Sequence, residues 1–501
     1  MTKVSKELAN KLHELSLHYF RELSKIPRGS GKEEKAADYL VEFAKRKGLS
    51  YKRTADIVNN KQTCTVAIYK PGSLGYEEAS PLVLQAHIDM VCQKEPDSNH
   101  DFEKDPIELI LEGNVLRANK TTLGADNGIG VGIIMAFLDS DEINHPPLEA
   151  LFTSDEEDGM SGIIAVTPDM LTGKRMINID STDEGVFTYG SAGGINCDIS
   201  FSVAYEPLPQ GYTLLDLGVS GLLGGHSGVE IHKGRANAHL LLARVLTHLQ
   251  KSVPIQLANF YGGGKRNVIT REVGAIVAIP TDSKEHVQSI VREAQNIFAH
   301  EYRDIEEDIV VQLKSCAEDA PLVPGKVLDL NSTDKIIALI MAVPNDVMAM
   351  HNQIPGLVGT SCNLGVIELD ETQFRILSSV RSSHLSKKYY IGDKFEAIAK
   401  LLGANFSTSS DYPSWEPDVH SPLLKTFEKT YKETFTDKEP VFEAIHAGLE
   451  CGFVSEKFPG MDIISCGPTM KEIHTPKERL YLDTNLRLVE LLLNVMITMN
   501  R

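Results

Sequence analysis

Residues 82–91 read LVLQAHIDMV, a short apolar run that passes directly into His87 and Asp89. The run predicts a buried strand. His87 and Asp89, two positions apart, share one side if the backbone stays extended. Similar runs lie at 65–69, 148–153 and 175–179, with a helical stretch at 128–138 between two of them. Two amphipathic helices precede, one carrying Leu8, Leu12, Leu15 and Tyr19, the other Ala36, Leu40, Phe43 and Ala44. Strands alternating with helices predict an α/β fold with a mostly parallel, mixed sheet flanked by helices.

The pattern changes after about residue 190. Segments 191–204, 212–220, 272–279 and 373–380 alternate apolar and polar residues like half-exposed strands, and helical stretches fall at 236–249 and 284–301. The α/β style returns after about 394, ending with a strand at 461–466 and a helix from about Thr484. The expected architecture is a discontinuous catalytic domain, 1–188 and 395–501, carrying an inserted α+β lid or dimerisation domain at 189–394. A faint echo, Asn267-Val-Ile and Asn363-Leu-Gly-Val-Ile, hints at two related halves in the insert.

At 501 residues, a prior of about 150 residues per domain gives about three folding units, or two unequal domains. Asp plus Glu is 69 and Lys plus Arg is 50, a formal net charge of −19. That surface repels nucleic acid and anionic membranes, which argues against both as partners. No run approaches the ~18–20 apolar residues of a membrane span, and the N-terminus lacks a signal-peptide core. The seven cysteines are scattered and never spaced C-x-x-C, as expected for reduced thiols in a cytoplasm. GGGK at 262–265 is not a P-loop, and GGHSG at 224–228 lacks the central serine of a nucleophile elbow.

Acidic segments follow the strand-like runs. Asp126 lies in TTLGADNGIGVGI, Glu156 and Glu157 in LFTSDEEDGMSG, and Asp180 in MINIDSTDEG. In open α/β sheets, ligands bind beyond the carboxyl ends of the strands. Each residue also has an ordinary explanation: a helix N-cap for Asp126, a turn for Asp180, a solvated pair for the glutamates, a core ring for His87. Gathered at one edge, the acids would repel one another unless cations intervene. Imidazole mixed with carboxylates suits zinc, manganese or cobalt, and this many ligands suits two ions. A second imidazole is then needed from a distant strand. His474 in SCGPTMKEIHTPKERL is the candidate, with a plain loop position as its alternative.

These motifs, followed in order by AGG, GLLGGHSGVEIH, HAGLECG and the His474 segment, strongly resemble the aminoacyl-histidine dipeptidases. That family stands among the co-catalytic di-zinc exopeptidases related to aminoacylases and glutamate carboxypeptidases. The resemblance implies His87 and Asp180 on one metal, Glu157 and His474 on the other, and Asp126 between them. It implies Asp89 as the acid orienting His87, and Glu156 as general base. His226 matches a lid histidine that supplies the oxyanion donor. Asn267 resembles the family's substrate-binding lid asparagine, and His446 and Glu450 match a subfamily signature near the substrate terminus. Arg381 is the candidate for gripping the substrate carboxylate, since a guanidinium fork matches a carboxylate, with Arg375 close enough to compete.

The expected activity is hydrolysis of unblocked dipeptides, especially Xaa-His, by a water activated on two divalent ions, most simply Zn2+, with Co2+ or Mn2+ as alternatives. A cytoplasmic homodimer is expected. A deacylase or tripeptidase on the same scaffold, or a non-catalytic peptide- or metal-binding protein, are the competing readings.

Overall fold

Four parallel strands form the centre of an eight-stranded mixed sheet. Leu82–His87 lies between Leu148–Thr153 and Arg175–Asn178, and Asp462–Ser465 joins beyond the latter. Leu82–His87 and Leu148–Thr153 are buried along their whole length, because both faces of a central parallel sheet are covered. Ser50–Arg53, Val66–Lys70 and Val186–Ser191 add antiparallel pairing on either side, so the parallel character belongs to the centre. The computed structural model describes residues 4–316, 323 and 325–499.

The helix Ala125–Asp139 is apolar all round, and every residue from Ala125 to Leu138 is buried. A helix of that composition has to run through a core rather than lie on a surface. Its glycines admit the helix Lys6–Leu23 at close range. A Cβ on Gly132 would meet Ser16 O at 2.5 Å, and one on Gly128 would meet the Phe20 ring at 2.9 Å. Parallel pairing brings four strand ends to one sheet edge. His87 stands opposite Thr153, and Gln85 and Ser465 both pair with Asn178.

The chain divides into two units: 1–191, 415–444 and 449–501 form one, and 192–414 with 445–448 the other. The inserted unit therefore runs about twenty residues past the expected boundary at 394. The helix Leu385–Leu402 packs on Gly193–Ser202 and Gln373–Ser382, and the strand Asn405–Tyr412 pairs with Gly193–Ser202. Both elements belong to the insert by contact, although their sequence style does not mark them so.

Within the inserted unit, one fold pattern occurs twice. Tyr212–Ser220, Ala238–Gln250, Gln256–Gly262, Val273–Pro280, Lys284–Glu301 and Val310–Ser315 run strand–helix–strand–strand–helix–strand. Their strands lie side by side in the order second, third, first, fourth. Gly193–Ser202, Leu330–Ala342, Val358–Leu369, Gln373–Ser382, Leu385–Leu402 and Asn405–Tyr412 repeat both the chain order and the strand order, with a short edge strand Asp346–Met350 added. The first pattern is inserted between the first strand and first helix of the second. The two asparagines of the sequence echo are not equivalent. Asn267 follows the second strand of its half, whereas Asn363 lies within the second strand of the other.

Candidate active site

The two oxygens of Asp126 face different imidazoles. Oδ1 lies 3.2 Å from Nε2 of His87, and Oδ2 lies 3.2 Å from Nε2 of His474. Around His87, Oδ1 of Asp180 stands at 3.4 Å. Around His474, Oε1 of Glu157 stands at 2.9 Å. Donor atoms from His87, Asp126 and Glu157 all fall within 4.8 Å of one another. Asp126 does not cap its helix. Gly124 occupies the N-cap position without a side-chain bond, and the carboxylate of Glu478 accepts the amides of residues 123–126 instead.

Asp89 is fully buried and connects this cluster to the glutamate turn. Its Oδ1 lies 3.2 Å from Nδ1 of His87 and accepts the N–H of Glu156 at 3.0 Å. Its Oδ2 accepts the N–H of Glu157 at 3.1 Å and the Ser30 hydroxyl at 2.8 Å. One carboxylate thus sets the His87 ring and the turn carrying both glutamates, the orienting arrangement expected beside a ligand imidazole. Asn127 donates to Asp180 Oδ1 at 2.5 Å and holds that acid toward His87. Ser30 and Asn127 were not singled out from the sequence. Only Asn127, adjacent to Asp126, carried a signal.

The cluster holds more negative charge than its surroundings solvate. Asp126 and Glu157 push the His474 imidazole up to about 10. Burial alone would lower His87, yet Asp180, Asp126 and Asp89 raise it well above its usual value. Burial, with Asp126 and Glu157 adding to it, lifts the Asp180 carboxyl to about 6. Glu156 is half-buried with its carboxyl end enclosed; that burial, then Asp180, Glu450 and Glu157, raise it well above the carboxylate range. Positive charge held between the imidazoles and carboxylates relieves every one of these shifts, and the donor set fits divalent cations that accept both nitrogen and oxygen.

His446 and Glu450, read from one motif, fall in different units. The short stretch between them leaves the insert and begins the helix Glu450–Lys457. Glu450 is 1 % exposed, and its Oε2 accepts from Gln85 at 2.6 Å and Thr153 at 2.7 Å. Burial pushes its carboxyl up to about 8.

A second group forms within the inserted unit. The Nδ1 of His226 accepts the N–H of Gly228 at 3.1 Å and of Val229 at 3.2 Å. That leaves Nε2 as the protonated nitrogen of a neutral ring, and burial followed by the Arg381 charge keeps the ring neutral by lowering its pKa. Val268 pairs with His226, and Ser227 donates its N–H to the carbonyl of Asn267, so the turn bearing Asn267 is fixed against it. Asn363 brackets Asn267 from the other side, donating to the carbonyls of Arg266 and Val268, each at 2.9 Å.

Arg381 donates to the Tyr412 hydroxyl at 2.8 Å, and burial, then its charge, depress His446 to about 3. His446 Nε2 lies 2.7 Å from the Ser361 hydroxyl. Arg375 sits six residues from Arg381 on the same strand, about 20 Å away at the usual rise, in an exposed ion pair with Glu368. The structure groups Arg381, and not Arg375, with His226 and His446.

An α/β sheet with an acid and imidazole cluster at its carboxyl edge, and an insert built from two antiparallel sheets, defines a class of two-unit peptidases. Residues 217–306 match the peptidase dimerisation domain, which covers most of the first half of the insert. The chain is 38% identical over 465 residues, 93% of each chain, to the cytosol non-specific dipeptidase of Escherichia coli (strain K12). The crystal structure of aminoacylhistidine dipeptidase from Vibrio alginolyticus superposes with a TM-score of 0.88 at 37% identity, covering 96% of both chains. A tripeptidase from Staphylococcus aureus shares the fold at 15% identity, with a TM-score of 0.55 over 98% of this chain and 99% of its own. The chain belongs to the aminoacylhistidine dipeptidase family and is a peptide-bond hydrolase of the metal-dependent kind.

Proposed function

We propose that this enzyme hydrolyses unblocked dipeptides, Xaa-His among them, at a centre for two divalent cations, most simply Zn2+. The reading rests on one observation above all: the two oxygens of Asp126 face two separate imidazoles, each with its own further carboxylate. His87 and Asp180 would hold one cation, His474 and Glu157 the other, with Asp126 shared. When bound, the ions would polarise the scissile carbonyl and acidify the attacking water.

Glu156 accepts the proton from that water and returns it to the departing amine. Asp89 keeps Glu156 in place through its backbone. His226, neutral with its proton on Nε2, donates to the developing oxyanion. Arg381 binds the substrate carboxylate through its guanidinium fork, and Asn267 and His446 complete the lid side. Glu450 supports the strand ends that carry the site. The insert pairs in a homodimer through the matched dimerisation domain. The scattered cysteines, never spaced C-x-x-C, fit a cytoplasmic setting.

Hydrolysis of a dipeptide panel, with metal content measured on the same preparation, tests the reading. Cleavage of free-amine dipeptides, abolished by chelation and restored by zinc, cobalt or manganese, is expected. Full turnover by metal-free protein, or cleavage of N-acylated substrates alone, would overturn it.

A further inference from the structure

Two charged side chains that touch no reacting group are buried beneath the cluster. Arg28 is 1 % exposed. Its Nη1 donates to the carbonyls of Ile88 at 3.0 Å and Asp89 at 2.9 Å, and its Nη2 to the carbonyl of Gly124 at 2.6 Å. Glu478 is 2 % exposed. Its Oε2 accepts the N–H of Leu123 at 2.8 Å and Gly124 at 3.0 Å; its Oε1 accepts those of Ala125 at 2.8 Å and Asp126 at 3.3 Å. The N–H of Glu478 closes the turn that follows His474, donating to the carbonyl of Thr475 at 3.1 Å.

The two side chains therefore grip the Gly124 turn from both directions, one at its carbonyl and the other at its amides. Gly124 has φ +66°, and a Cβ there would stand 2.6 Å from Arg28 Nη2 and 2.7 Å from the Met90 sulfur. Burying two charges is costly unless hydrogen bonds satisfy them. Three carbonyls meet the guanidinium and four amides meet the carboxylate. Charge-assisted bonds of that number fix backbone position far better than neutral ones.

We infer that Arg28 and Glu478 are positioning residues, a buried clamp that sets the spacing of the segments bearing His87, Asp126 and His474, and so sets metal affinity. The inference rests on the proposed ligand roles of those three residues. Arg28 ties the His87–Asp89 segment to the Asp126 turn, and Glu478 ties that turn to the His474 loop. A clamp acting through main-chain atoms alone leaves the ligand side chains free to meet the ions.

The test uses full-length, metal-free protein titrated with Zn2+ against a competing chromophoric chelator. Wild type should bind two ions. Glu478→Gln keeps the shape but offers a single acceptor oxygen and turns N–H groups toward two amide donors. Its metal affinity should fall about 10–100-fold, the usual cost of removing a partner that orients ligands. Arg28→Lys, which keeps charge and loses the fork, should shift in the same direction. Glu149→Gln is the control: that buried carboxylate also accepts backbone amides, from Thr172 and Gly173, but near the opposite end of its strand. It should lower the Tm without changing metal affinity.

Metal affinity within threefold of wild type in both clamp variants would overturn the inference. So would an equal loss of affinity in Glu149→Gln, or failure of both clamp variants to fold, which would make the clamp a stability element. A wild type that binds no metal would instead remove the ligand reading beneath it.

Discussion

Asp89 accepts the backbone N–H of Glu156 at 3.0 Å while its same oxygen lies 3.2 Å from the His87 ring. The acid that orients the imidazole is also the acid that places the turn carrying the proposed base. Asp89→Asn leaves one acceptor oxygen where four groups now converge. Loss of about 10–100-fold in kcat, with weakened metal binding, is expected. Steady-state kinetics beside metal analysis checks this, and an unchanged kcat would reduce Asp89 to a core acid.

Glu156→Gln removes the proton acceptor but keeps the turn, since Asp89 binds its N–H and not its side chain. A fall of about 10²–10⁴-fold in kcat is expected with both metals retained. Retention of near wild-type turnover would rule Glu156 out as the base.

His226→Ala should cost about 2.7–4 kcal/mol of transition-state stabilisation if the ring is a single oxyanion donor. His226→Gln keeps an N–H donor and should recover part of that loss. An alanine variant with unchanged kcat/KM would leave His226 as the anchor of its own turn, where Nδ1 already binds two amides.

His239, buried within the inserted unit, gives a pH prediction that involves none of the proposed ligands. It is fully buried, and burial lowers its pKa to about 4 from 6.5. The unfolded chain binds the proton more tightly, so stability from this group is full above about pH 6.5 and is lost as pH falls through about 4. The shift corresponds to about 3 kcal/mol at most. Urea midpoints at pH 7.5 and 5.0 should converge in His239→Leu relative to wild type. An identical pH slope in the two proteins would refute it.

The site was legible where chemistry follows directly on a strand. Apolar runs ending in His87, in the Glu156 turn and in Asp180 mark the sheet edge, because a central parallel strand must be apolar and its carboxyl end must carry what binds. The roles of Arg28, Glu478 and Asn363 were not legible, because each acts on main-chain atoms of distant segments, and such contacts leave no spacing to read. The end of the insert was misread for a related reason. The helix Leu385–Leu402 shows an apolar side, but its sequence does not say which strands that side covers.

The nesting of one strand–helix pattern inside another orders the molecule in time as well as in space. The inner half has all of its strands once residue 315 is made. The strand Gly193–Ser202 waits about 170 residues for Gln373–Ser382, and the catalytic sheet stays open until Asp462–Ser465 joins Arg175–Asn178. Of the three nested sheets, synthesis from the N-terminus thus completes the inner half of the insert first, the outer half next, and the sheet that began earliest last. The proposed centre includes His474, so it can assemble only after the whole insert has been made, and a copy stopped before that residue would lack one of the two imidazoles that face Asp126.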